Sequence, residues 1–92
     1  MDKTKQTIES LSMDLLRVAL GYHRGSKITA QRFAQEALKR KSEINKSSLK
    51  PYFAKWLNML PQMLNNSDTQ KVAEDALMYS VISRNYAKKF CK

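Results

Sequence analysis

Four stretches of this chain carry apolar residues at three- and four-residue spacing, and that period commits most of the sequence to helix. Ile8, Leu11, Leu15, Val18 and Ala19 stripe a first helix over about 8–20, and Gly21 follows where a terminator is expected. Phe33, Ala34, Ala37 and Leu38 share one face of a second, over 29–43, with Thr29 as its cap. Tyr52, Phe53, Trp56, Leu57 and Leu60 give a third over 49–60. Ser48 is placed to cap it, Pro51 suits its first turn, and Pro61 should kink or end it. The fourth, over 68–88, follows Ser67 and Gln70, which are spaced as a capping box. Val72, Ala73, Ala76, Leu77, Tyr79, Ser80, Ser83, Tyr86 and Phe90 lie on one side of it, and Met78, Val81 and Ile82 widen the arc. Such a wide apolar arc predicts that the fourth helix is the central one.

Two glycines and two prolines leave little material for hairpins, which excludes a strand-rich fold. The 92 residues suffice for one helical domain over 1–92, with 1–6 and 91–92 expected to fray. The fold class is therefore all-α, a four-helix bundle. Its order in space is open, though unequal helix lengths and a broken third helix lean towards an orthogonal arrangement.

The raw material for chemistry is sparse. His23 and Cys91 are the only residues of their types and stand on different segments, so neither a metal site nor a disulfide can be assembled within the chain. No glycine-rich phosphate loop is present. Glu74 and Asp75 are adjacent, which on a helix points them about 100° apart, and Glu36 and Glu43 sit among lysines and arginines. The expectation is a protein that is not an enzyme and has no cofactor. No apolar run approaches the ~20 residues of a membrane span. Residues 1–9 hold no signal-type apolar core, and Asp2, Glu9 and Asp14 speak against a transit peptide. A lone cysteine suits a reducing compartment, and the chain reads as cytoplasmic.

The strongest signal is charge. Seventeen Lys and Arg oppose eight Asp and Glu, a net +9. Between Leu15 and Ser67 the only acids are Glu36 and Glu43, against ten bases. A field of this sign attracts nucleic acid, an acidic protein surface or anionic lipid, and it also keeps a small protein soluble. Arg24, Lys27, Arg32, Gln35, Lys39 and Arg40 are the candidate nucleic-acid-binding residues: cations for phosphates, and arginine and glutamine for base edges. The gap from Gly21 to Ile28 is about twice the 3–4 residues of a helix-turn-helix, which argues against that motif. The alternative reading is a regulatory protein-binding or homodimerising adaptor. The stretch Trp56–Ser67 carries no charge, and Trp56, Met59 and Met63 are its candidate contacts. A membrane surface is a weaker third option, because basic and apolar residues do not share one clean amphipathic helix.

Overall fold

Each periodic stretch is a helix, and each runs beyond its apolar stripe. The computed structural model describes residues 3–91, with Lys46 described by its backbone alone. In order, the helices are α1 (Thr4–His23), α2 (Lys27–Glu43), α3 (Pro51–Leu64) and α4 (Thr69–Phe90), with a short 3-10 turn at Lys46–Ser48 between α2 and α3. Of the segments expected to fray, residues 1–2 and 92 lie outside the described part. Thr4–Gln6 already belong to α1, and the Cys91 N–H donates to Ala87 O at 3.1 Å.

The helix ends correct several sequence expectations. Gly21 does not stop α1. The helix continues to His23, and Gly25, with φ of 75°, takes the left-handed position after it. The N–H of Gly25 donates to Tyr22 O and that of Ser26 to Gly21 O, the paired bonds of a Schellman motif, so two otherwise orphaned carbonyls are satisfied. Gly21 instead lets α2 come close: a Cβ there would lie 2.9 Å from Ala30 N. Asp68, not Ser67, caps α4, accepting from Lys71 N–H at 3.2 Å. Lys50 and Pro51, rather than Ser48, open α3. Pro61 does not end α3. It lies inside the helix, which continues to Leu64, where Met63 and Leu64 are buried. Packing of those two side chains offsets the backbone bond that proline cannot make.

The arrangement is up-down-up-down rather than orthogonal. Gly21 meets Ala30, Arg17 lies over Phe33, and Arg40 reaches Asp14, so α2 runs antiparallel along the length of α1. The connector is only Arg24–Ser26, shorter than the spacing suggested. Even so, the pair is an αα-hairpin and not the near-perpendicular pair of a helix-turn-helix. Ser12 Oγ donates to Ser80 O at 2.6 Å while Tyr22 and Thr69 line one recess, which makes α4 antiparallel to α1. Phe53 stacks on Tyr86 at 4.1 Å and Trp56 lies 5.8 Å from Tyr79, which sets α3 antiparallel to α4. The result is elongated, 38 × 19 × 19 Å, close to the length of a 20–22-residue helix plus its turns.

The central helix is α1, not α4. Close contact joins α1 to both α2 and α4, and Ile8, Leu11, Leu15, Val18 and Ala19 are fully buried. On α4 the extra width of the apolar arc faces solvent, with Leu77, Met78 and Val81 exposed.

Candidate functional site

The helix α2 carries most of the residues singled out for nucleic acid, and its orientation on the bundle decides which of them are available. Ala30 and Ala37 are fully buried and Phe33, Ala34 and Leu38 pack at the core margin. Helical geometry then turns Ile28, Arg32, Gln35 and Lys39 outward. All four are exposed. Ile28 is 83% exposed, an apolar residue at the head of a basic face whose role the apolar pattern did not signal.

The six candidates do not converge. Arg32 and Lys39 stand on the outer arc and, among the described residues, make no ion pair with a carboxylate. Lys27 and Gln35 line a groove on one flank of α2. Arg24 lines a separate recess on the other flank, with Arg17, Ser26, Thr29 and Phe33. Arg40 is the exception among them and is withdrawn from the phosphate-binding set. Its Nε lies 3.7 Å from Asp14 Oδ2 and its Nη1 lies 3.5 Å from Glu43 Oε1, so the guanidinium is engaged by two carboxylates. Of the two acids of α2, Glu43 pairs with Arg40, and Glu36 is half-buried close enough to Asp14 of α1 for the two carboxylates to repel.

Asp14 has an unusual setting. Its side chain is only 9% exposed, and burial raises its pKa above the usual carboxylate value. Arg40 and Arg17 oppose that shift, and Glu36 adds to it. Asp14 Oδ2 and Arg40 Nε are both buried and are too far apart for a hydrogen bond, leaving an ion pair without the bond that would compensate its desolvation.

The groove beside α2 has a volume of about 410 Å³. Tyr22, Ala34, Leu38 and Leu64 supply its apolar surface. Gln31 and Gln35, one helical turn apart on α2, face Asn65 and Asn66 of the α3–α4 connection across it, with Lys27, Ser67 and Thr69 at the rim. Among the described residues, no carboxylate lines it. The neighbouring Asp68 is occupied in capping α4, and its own N–H donates to Asn66 Oδ1 at 2.9 Å. In the sequence, the Asn65–Ser67 run reads as a loop marker. The i, i+4 glutamine pair was the only clue to the groove, and nothing local indicated that the two segments meet.

The uncharged Trp56–Ser67 stretch is mostly interior. Met63, expected as a surface contact, is 9% exposed and belongs to the core, because α3 continues through Pro61 and turns it inward. Trp56 is half-buried against Tyr52 and Tyr79. Only Met59 keeps the exposure expected of a contact residue.

Cations also stand away from α2. Arg84, Lys88 and Lys89 are exposed on α4, and Lys50 Nζ and Lys89 Nζ lie 5.2 and 5.4 Å from the centre of the Phe90 ring. Among the described residues, no group of three or more His, Cys, Asp or Glu is placed to hold a metal ion, and no helix is long and apolar enough to cross a membrane. Comparison with family models, with curated proteins and with solved structures finds no match to this chain.

Proposed function

We propose that this chain is a small, non-enzymatic regulatory module of the cytoplasm that docks the outer face of α2 on nucleic acid. The observation that carries this reading is the combination on α2. One turn to either side of Gln35, Arg32 and Lys39 are exposed and, among the described residues, make no ion pair, while Glu43 is paired with Arg40 and Glu36 is half-buried near Asp14. Phosphate neutralisation needs unpaired cations spaced along one surface, and a side-chain amide beside them adds the capacity to read a base edge. The other cations of the chain supply the long-range field that steers a polyanion towards the bundle.

Titration of labelled duplex and single-stranded oligonucleotides at about 50 mM salt tests the reading. The logarithm of the binding constant should fall linearly with the logarithm of salt concentration. Arg32→Gln and Lys39→Gln should each lower the salt slope by about 1 and weaken binding to all sequences alike. Arg40→Gln should alter binding least, because that guanidinium already faces Asp14 and Glu43. Failure of both duplex and single strands to bind at low salt overturns the proposal.

A second reading, contact with a protein or a second copy, is favoured by one observation. Leu77, Met78 and Val81 are 40–49% exposed on one flank of α4, a more contiguous apolar surface than the Trp56–Leu64 region retains. Sedimentation at micromolar concentration tests it. A monomer whose behaviour is unchanged by Val81→Lys removes it.

A further inference from the structure

We infer that the groove between α2 and the α3–α4 connection receives an unpaired base of a single-stranded nucleic acid. This rests on the nucleic-acid reading of α2 and extends it from the phosphates to the bases.

The chemistry of the lining points to such a ligand. A nucleobase is a flat ring with apolar faces and an edge of alternating donors and acceptors. The groove offers an apolar surface, made of the Tyr22 ring with Ala34, Leu38 and Leu64, beside a set of side-chain amides. Each amide presents both a donor and an acceptor, which matches a base edge and suits no simple ion. Gln31, Gln35 and Asn65 are exposed, and among the described residues their amide groups make no hydrogen bond, while Asn66 commits its carbonyl to Asp68 N–H. The absence of any carboxylate from the lining, with Lys27 at its rim, admits a ligand carrying phosphate. At about 410 Å³ the groove falls within the usual range for small-ligand clefts, roughly 300–1,000 Å³.

The shape selects the single strand. Within a duplex, base faces are covered by stacking, and only the edges are reached, by an element that protrudes into a groove. A concave site must receive a base that has left the stack, as single strands and loops allow. The groove also adjoins the outer arc of α2, since Lys27 and Gln35 belong to its lining while Arg32 and Lys39 follow on the same helix. A strand whose phosphates lie along Arg32 and Lys39 has a base within reach of Gln35.

The test compares fluorescently labelled 12-nucleotide oligo(A), as DNA and as RNA, with an abasic 12-mer of the same phosphate backbone, by anisotropy at low salt. The folded chain should bind at least one base-bearing strand about tenfold more tightly than the abasic one, the scale expected for one base held against an aromatic ring. Gln31→Ala combined with Asn65→Ala changes only exposed positions outside the outer face of α2. It should abolish most of that preference while leaving abasic affinity and salt slope unchanged. Lys39→Gln should do the reverse, weakening all strands and preserving the preference. Equal binding of base-bearing and abasic strands, or a preference that survives the double substitution, overturns the groove assignment while leaving the phosphate-docking proposal in place. If no strand binds, both fall together.

Discussion

The helix α1 meets α2 and α4 across seams of small side chains, whereas α3 is held away from its neighbours by rings. Along the first seams lie Ser12, Ala19, Gly21, Ala30, Ala37, Ala73, Ala76, Ser80 and Ala87, nearly all fully buried, and the backbones approach closely. Around α3 the contacts are Phe53 on Tyr86, Tyr52 against both Trp56 and Tyr86, and Trp56 against Tyr79. Helix spacing follows the volume of what lies between. The difference matters for function, because the groove opens where the end of α3 stands off α2. The tight seams provide a rigid frame for α2, and the wide one leaves room for a ligand.

If the rings are what hold α3, removing the most buried one should have the largest effect. Phe53→Ala deletes a side chain that is 1% exposed and stacked on Tyr86, and should cost about 3–5 kcal/mol in urea denaturation. Hydrogen exchange should show the amides of α3 losing more protection than those of α1. Equal loss in both helices would mean that the two kinds of seam do not differ in how they fail.

The tight seam should respond to added volume instead. Gly21→Ala places a methyl group 2.9 Å from the backbone nitrogen of Ala30, an atom that cannot move aside as a side chain end can. Alanine gains nearly 1 kcal/mol in helix propensity over glycine. The crowding should exceed that gain and leave a net loss of about 1–2 kcal/mol by denaturant midpoint. A stabilised variant would show that Gly21 is not needed for the approach of α2.

Tyr86→Phe separates the ring from its hydroxyl. The stack on Phe53 stays, and the bond in which Lys50 N–H donates to Tyr86 Oη at 2.8 Å is lost. A loss of about 1 kcal/mol is expected from one part-buried hydrogen bond left unmade at the start of α3. No change in stability would assign the whole of the contact to ring packing.

The tight and wide seams were not equally legible in the sequence. Four helices follow from the spacing of apolar residues, and the all-α bundle follows from them. The choice of central helix did not. An apolar arc records how much of a helix is apolar, whereas centrality depends on neighbours, and the small Ser12, Ala19 and Gly21 that draw two helices onto α1 carry almost no hydropathy signal. Pro61 misled because its local cost was weighed without the burial of Met63 and Leu64 beyond it. At the site, a list of basic residues cannot separate Arg40, tied to a carboxylate 26 positions earlier, from Arg32 and Lys39. The groove combines Gln31 and Gln35 with Asn65 and Asn66, two segments brought together only by the antiparallel return of the chain.

The smallest effect is expected inside the α1–α2 seam, at the buried carboxylate of Asp14. Burial raises the Asp14 pKa, and Arg40 and Arg17 do not fully counter it, so the fold prefers Asp14 neutral. A pKa raised on folding means that the native chain binds the proton more tightly than the unfolded one. The stability this confers is fully present below the unfolded value of 3.8 and is lost as pH rises through the higher native value. Asp14→Asn keeps the shape of the neutral acid at every pH. The variant should therefore match the parent in Tm near pH 3 and become slightly the more stable as pH climbs, with the difference constant once the native Asp14 has ionised. Thermal melts of both proteins from pH 3 to 7 read this directly. A variant that is instead the less stable at pH 7 would make the Asp14–Arg40 pair a net attraction, and the tight seam would then owe part of its closeness to charge rather than to small side chains alone.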